Sequence, residues 1–265
     1  MAEKSAESRT QVIYFFGTCI VDLFYPRAGM AGIELLRRQG LEVVFPQGQT
    51  CCGQPAYNCG YAEAARTVAR AQLALFPEPW PVVVPAGSCA AMMRRHSPEL
   101  FAGEPDLPAA VAFAERVHEL TEFLAGLLTA RGERLVDLGP PVRVTWHASC
   151  HALRELGPAG GHPAGGHTAG GRLLLGQLAN VELAPLARER ECCGFGGTFS
   201  LRFPEISAAM VEDKAADVGA SGASELLSAD CGCLLNIAGH LARTGSTVRP
   251  RHLAEFLLER TRAGD

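Results

Sequence analysis

The chain has 265 residues, of which 48% are hydrophobic and 20% charged, and its formal net charge is −4. This composition is typical of a globular protein, and the lack of a basic run argues against nucleic acid as a partner. No apolar run approaches the roughly 18 residues that span a bilayer, and the polar N-terminal residues contain no signal-peptide core. We therefore expect a cytoplasmic protein with no membrane span.

The first half of the chain alternates strands, cysteines and helices. A predicted strand over residues 12–16 leads into Cys19, and the triplet Cys51-Cys52-Gly53 precedes a helical stretch over residues 61–76. A second apolar strand, over residues 81–85, leads into Cys89.

The same order returns after Gly139-Pro140-Pro141. A strand over residues 142–146 leads into Cys150, a second Cys-Cys-Gly triplet begins at Cys192, and Cys233 closes the series. The repetition indicates an internal duplication. The sequence thus predicts an α/β protein with two similar lobes, residues 1–139 and 140–265, each with a mainly parallel sheet flanked by helices.

The cysteines are the candidate functional residues. Ten cysteines are many for a reducing compartment, where disulfides are rare, so metal or cluster ligation is the expected use. Ligands gather beyond the carboxyl ends of parallel strands, and four thiolates per iron–sulfur cluster is the common arrangement. The repeated cysteines that could hold a cluster in each half are Cys19, Cys51, Cys52 and Cys89, then Cys150, Cys192, Cys193 and Cys233.

Other uses of the same residue types stay open. Zinc sites usually contain pairs of the C-x₂₋₄-C type, which the eight repeated cysteines do not show. Cys59 has no partner in the second half and is expected to be a buried core thiol. His147 and His151 flank Cys150, where each is either a hydrogen-bond donor or proton relay for a cluster, or an ordinary half-buried histidine. The loop over residues 157–171, rich in glycine and histidine, is expected to be an insertion without chemistry.

Three segments carry a resemblance to a known family. They are Gln-Thr-Cys-Cys-Gly-Gln-Pro-Ala (49–56), Glu-Cys-Cys-Gly-Phe-Gly-Gly-Thr-Phe-Ser (191–200) and Ala-Asp-Cys-Gly-Cys-Leu-Leu-Asn-Ile (229–237). Together they closely resemble the LutA/YkgE family, the cysteine-rich CCG-domain proteins of lactate utilisation. These proteins are related to the CCG-containing component of heterodisulfide reductase and to the iron–sulfur component of glycolate oxidase.

The resemblance implies an iron–sulfur electron-transfer subunit, and hence an oxidoreductase subunit, of a cytosolic complex. That complex would oxidise L-lactate, or a similar small 2-hydroxy acid, to pyruvate. The implied partners are a ferredoxin-like iron–sulfur subunit and a third lactate-utilisation subunit. The implied cofactors are two [4Fe-4S] clusters, with the choice between cubane and non-cubane forms open.

The sequence departs from the heterodisulfide reductase pattern at one point. In those relatives each half ends in C-x-x-C and binds a non-cubane cluster through five cysteines, whereas Ala86 and Asp230 stand here at the first cysteine position. Cys231, beside that position, is a candidate fifth ligand in the second half. The alternatives to a lactate-oxidising complex are a thiol–disulfide reductase subunit and a zinc-binding scaffold protein.

Overall fold

A computed structural model describes residues 11–156 and 168–261. The predictions for the first ten residues and for positions 157–167 of the glycine- and histidine-rich loop lie outside the described residues. Within the described ranges, no helix combines the length and the apolar sequence needed to cross a membrane.

The first half is built on a parallel sheet whose strands lie in the order β2-β1-β3-β4. Its strands are β1 (Val12–Phe15), β2 (Glu42–Val44), β3 (Val82–Val84) and β4 (Val117–Glu119). Its helices are α1 (Cys19–Phe24), α2 (Pro26–Arg38), α3 (Gln54–Asn58), α4 (Ala62–Leu73), α5 (Gly87–Ala91), α6 (Ser97–Leu100), α7 (Leu107–Ala114) and α8 (Leu120–Arg131), with a π-helical turn at Met92–His96. The Val-Val-Val sequence of β3 is wholly buried, as expected for a strand covered on both faces.

The second half repeats this arrangement, with a parallel sheet in the order β6-β5-β7-β8. Its strands are β5 (Val142–His147), β6 (Val181–Ala184), β7 (Glu225–Ser228) and β8 (Arg249–His252). Its helices are α9 (Cys150–Glu155), α10 (Thr168–Leu175), α11 (Phe199–Arg202), α12 (Pro204–Ala220), α13 (Cys231–Arg243) and α14 (Leu253–Arg260). The predicted α/β class with two similar lobes is confirmed.

The last helix of each half is capped by the residue before it, but the two caps differ chemically. A buried carboxylate oxygen of Glu119 accepts from the N–H groups of Thr121 and Glu122, and burial raises the pKa of Glu119 to about 7. At the equivalent place His252 Nδ1 accepts from Ala254 N–H, while its Nε2 donates to the Pro85 carbonyl of the first half at 3.2 Å. The second cap therefore also links the two halves.

Helices of the two halves pack against each other around one shared core. Helix α8 of the first half packs against α10 of the second, and α14 of the second half packs against α2 of the first. One buried cluster joins residues of both halves, among them Phe15, Leu124, Trp146 and Leu257. The approach of α8 to α10 is so close that a Cβ added to Gly170 would lie 2.7 Å from a backbone nitrogen of α8. The halves are thus similar in fold and interlocked in packing, and a domain boundary at residue 139 stays a prediction.

Candidate metal centres

Each Cys-Cys-Gly triplet forms a turn that depends on its glycine. Gly53 and Gly194 have φ angles of 89° and 80°, in the left-handed region that glycine adopts without steric cost. Their N–H groups donate to the sulfurs of Cys51 and Cys192, at 3.4 Å in both halves. A Cβ on Gly194 would lie 2.8 Å from a backbone oxygen of α12, so this turn also requires a close approach to the helix.

The other cysteines are held at the first turns of helices that follow central strands. Cys19 and Cys150 begin α1 and α9, and the hydroxyls of Thr18 and Ser149 cap those helices. Cys89 and Cys233 are the third residues of α5 and α13. The cysteines therefore meet beyond the carboxyl ends of the strands, where parallel sheets usually bind their ligands.

The four repeated thiols of the first half form a chain of neighbouring thiols in the order Cys19, Cys51, Cys52 and Cys89. Hydrogen bonds from the Cys19 and Cys52 thiols, helped by the Gly53 N–H, lower the pKa of Cys51 to about 3. The pKa of Cys19 is raised because its thiol donates to Cys51, and the pKa of Cys52 is raised in the same way. One thiolate is thus stabilised by the thiols around it.

The second half repeats the chain in the order Cys150, Cys192, Cys193 and Cys233. The sulfurs of Cys150 and Cys192 are 3.9 Å apart. Hydrogen bonds from Cys150 and Cys193 lower the pKa of Cys192 to about 2, whereas the pKa values of Cys150 and Cys193 are raised. Since thiolates are the form that binds metals, a set of four thiols that stabilises a thiolate suits metal binding in each half.

The first thiol chain lines a cavity of about 90 Å³ at the junction of the two halves. The second half contributes Phe195, Asp230 and Cys231 to its lining. One carboxylate oxygen of Asp230 accepts from the Ser88 N–H of α5 at 2.8 Å, and the other caps α13. The residue at the vacant cysteine position thus ties together the two helices that carry the last cysteines.

Cys231 lines this first-half cavity as well. Cys231 is only 1% exposed, and burial raises the pKa of its thiol. The first half therefore gathers five thiols around one cavity. The expectation that Cys231 serves as a ligand in the second half stays a prediction.

The two histidines that flank Cys150 lie in different surroundings. His147 ends β5 and is fully buried, and burial lowers its pKa to about 4. One of its ring nitrogens and the sulfurs of Cys193 and Cys233 all lie within 4.8 Å of one another. His151 is half-buried, and its Nδ1 lies 3.8 Å from the Cys150 sulfur.

Cys59 is not the buried core thiol that the sequence predicts. It is half-buried, and its sulfur lies 3.0 Å from the Thr198 hydroxyl of the second half and 3.8 Å from an Arg202 nitrogen. The Thr198 hydroxyl lowers the pKa of Cys59. The prediction was wrong because the relevant contacts join segments that are far apart in sequence.

Lys214 is a buried cation near the second site that no sequence pattern identified. Its Nζ donates to the Arg188 carbonyl and lies 3.7 Å from an Asp217 oxygen. Gly53 lies next to the Ala65 carbonyl and Gly194 next to the Ser207 carbonyl, so Ala65 and Ser207 are equivalent. Counting on from them, the residue of the first half equivalent to Lys214 is Gln72. Aligning α4 with α12 could have revealed this difference.

A wider cavity of about 400 Å³ opens beside Cys19 and Cys51. The described residues that line it include Asp22, Phe45 and Gln49, and no arginine or lysine. The Gln49 side chain is fully engaged, because its oxygen accepts from Gly17 N–H and its nitrogen donates to two backbone carbonyls. The described part of the lining therefore offers no cation to a carboxylate ligand.

Comparison with known proteins finds similarity over nearly the whole chain. The CCG cysteine-rich domain matches twice, at residues 13–94 and 144–238. Lactate utilization protein A of Geobacillus kaustophilus is 42% identical over 248 residues, which cover 92% of this chain and 98% of the relative. The protein of the same name from Shouchella clausii has the same identity and coverage. That from Bacillus velezensis is 41% identical over 251 residues, with 94% and 99% covered.

Among solved structures, a hypothetical protein from Helicobacter pylori has a similar fold. The TM-score is 0.62 at 11% identity, over 96% of this chain and 50% of the other. At this identity the likeness concerns the fold alone.

Proposed function

The chain belongs to the lactate utilization protein A family, whose members carry CCG cysteine-rich domains, and we propose that it is an iron–sulfur electron-transfer subunit in lactate utilisation. The observation that carries the proposal is the pair of matched thiol chains, with the same order of four cysteines in both halves. We propose one [4Fe-4S] cluster in each half.

The residues present fit such a cluster. Soft thiolates are the preferred ligands of iron–sulfur clusters, and when bound these clusters supply one-electron redox chemistry. The chain provides four sulfurs per half and buries Cys52 and Cys193 away from water. The N–H groups of Gly53 and Gly194 already point at sulfur, and hydrogen bonds of this kind tune the reduction potential of a cluster.

The connection between the two sites suits a relay of electrons. Cys231 lines the first cavity, and Cys233, two residues further along α13, belongs to the second thiol chain. The Asp230 carboxylate binds N–H groups of both α5 and α13, which holds the two sites in a fixed relation. A short covalent path therefore joins them.

Oxidation of the organic substrate is better placed in a partner subunit. A 2-hydroxy acid is an anion, whereas the described lining of the wide cavity beside Cys19 has Asp22 and no basic side chain. We propose that the chain works in a cytoplasmic complex with a ferredoxin-like iron–sulfur subunit and a third lactate-utilisation subunit, which together oxidise L-lactate to pyruvate. The family relationship supports this assignment of partners.

Metal and sulfide analysis tests the proposal. After anaerobic purification, we expect about eight irons per chain, in two four-iron clusters, with an equal amount of acid-labile sulfide. Stoichiometric zinc without sulfide would contradict the proposal and favour the zinc-binding scaffold.

Thiol–disulfide reductase activity is a second candidate, because five thiols surround the first cavity where four would hold an ordinary cluster. The chemically reduced protein would then cleave a small-molecule disulfide and release free thiols. Thiol release at the rate of a Cys231→Ser control would reject this candidate.

A further inference from the structure

A fully buried histidine beside the second thiol chain has no hydrogen-bond partner within the part of the chain that the structure describes. His147 is 0% exposed, and neither Nδ1 nor Nε2 has a hydrogen-bond partner among the described residues. Burying a polar group without a partner is costly, and such groups usually mark a bound ion, water or cofactor.

Of the charged groups that act on this imidazole, Lys214, Asp230 and Cys192, the first two are engaged elsewhere. Asp230 uses its carboxylate oxygens to accept from the N–H groups of Ser88, Gly232 and Cys233. Lys214 donates to the Arg188 carbonyl and pairs with Asp217. The unpartnered ring lies instead beside sulfur, since one of its nitrogens is within 4.8 Å of the sulfurs of both Cys193 and Cys233.

We propose that His147 is a nitrogen ligand of the metal centre in the second half, which is therefore a mixed imidazole–thiolate centre. The inference rests on the proposed iron–sulfur function and extends it. Phe16 stands at the equivalent position of the first half, three residues before the cysteine that begins the helix, and supplies no ligand atom. The duplication has thus produced two chemically different centres.

The difference gives the relay a direction. Imidazole is neutral where thiolate is anionic, and replacing thiolate by histidine raises the reduction potential of an iron–sulfur centre. The donor beyond the four repeated cysteines is the Cys231 thiol at the first centre and the His147 imidazole at the second, so the second centre would have the higher potential. The two centres would then supply a one-way relay, with the first as electron donor and the second as electron acceptor.

Pulsed EPR of the reduced, iron-loaded full chain tests the ligand directly. With ¹⁵N-labelled histidine, we expect a hyperfine coupling from a directly bonded nitrogen. The coupling disappears in His147→Phe, which copies the first half, and persists in the matched control His151→Phe. Total iron is measured on every sample.

A second variant guards against misfolding of the first. His147→Cys keeps a metal ligand, so we expect full iron content, no nitrogen coupling and a lower midpoint potential of one centre. Full iron without a bonded nitrogen in the unaltered chain, or a coupling that survives both His147 substitutions, would overturn the inference and leave the proposed function standing. Absence of iron and sulfide would overturn both.

Discussion

The two halves share a backbone and four thiols but differ in the groups around them. The first site has Phe16 where the second has His147, and Gln72 where the second has the buried Lys214. In addition, Cys231 of the second half lines the first cavity, while Gly87 stands at its equivalent position in the first half. The first site is therefore richer in thiols, and the second has an imidazole and a cation nearby.

This comparison teaches how a duplicated fold produces two unlike sites. The turn geometry, the helix starts and the order of the thiol chain are set by backbone and glycine, so both copies keep them. The groups that differ between the sites, His147, Lys214 and Cys231, lie at positions outside the four repeated cysteines, where the two copies could diverge. The start of α13 then brings Asp230 and Cys231 of the second half to the cavity of the first.

Separating the halves should have the largest effect. Because α8 packs on α10 and α14 on α2 around one shared core, we expect neither residues 1–139 nor residues 140–265 to unfold cooperatively when expressed alone. Co-expression of the two pieces should restore a single thermal transition by circular dichroism. A cooperative transition in either piece alone would show that the halves are independent domains.

Removing one central thiol should empty one half only. In Cys52→Ser or Cys193→Ser a buried ligand is lost, so each variant should retain about half of the iron of the unaltered chain. Iron and sulfide analysis, together with EPR, checks the result. The control is Cys59→Ser, because the Cys59 thiol lies outside both thiol chains and this variant should keep its iron. Full iron in either ligand variant would reject the assignment of that cysteine.

Cys231→Ser separates the two possible places of this thiol. Because Cys231 lines the first cavity, we expect the EPR signal of the first centre to change and that of the second to stay as it is. The signals are assigned with the Cys52→Ser and Cys193→Ser variants. A change confined to the second centre would support the expectation from sequence instead.

The smallest effect concerns two histidines at equivalent positions. His96 lies 2.8 Å from Glu155 of the second half, which with Glu99 raises its pKa to about 8, whereas His240 lies beside Arg243. The protonated form of His96 therefore stabilises the fold below pH 6.5, and this stabilisation is lost as the pH rises through 8.

Allowing for solvent screening, the loss should amount to about 1 kcal/mol of unfolding free energy between pH 6.5 and 9. Denaturant titrations at the two pH values measure it. The His96→Gln variant should lack this pH dependence, and the His240→Gln variant should keep it. An equal dependence in both variants would show that His96 is not the group responsible.

The fold was largely predictable because its signals are local. Apolar strands over residues 12–16, 81–85 and 142–146 each run into a cysteine, and the helical stretch over residues 61–76 corresponds to α4 (Ala62–Leu73). Edge strands such as β2 and β8 gave no signal, since they are short and only partly buried. The packing of helices of one half against those of the other could not be predicted, because it depends on contacts between residues that are remote in sequence.

The cysteines of the candidate sites could be predicted from the sequence, but the groups packed around them could not. The repeat identifies eight cysteines, and the structure brings them together as two thiol chains of four cysteines each. Their role as ligands stays a prediction. The position of Cys231 in the first cavity and the full burial of His147 emerge only from tertiary packing. Sequence spacing placed Cys231 with its nearest neighbours, whereas the fold places it across the junction of the halves.

The central claim is that two redox centres, one in each half, carry electrons during lactate oxidation. The most direct measurement is EPR of the native complex after anaerobic addition of L-lactate, beside a complex that contains the Cys193→Ser chain. We predict that lactate produces reduced signals from two centres in the unaltered complex and that one of them is missing in the variant. Iron-loaded complexes whose spectra do not respond to L-lactate would contradict the account.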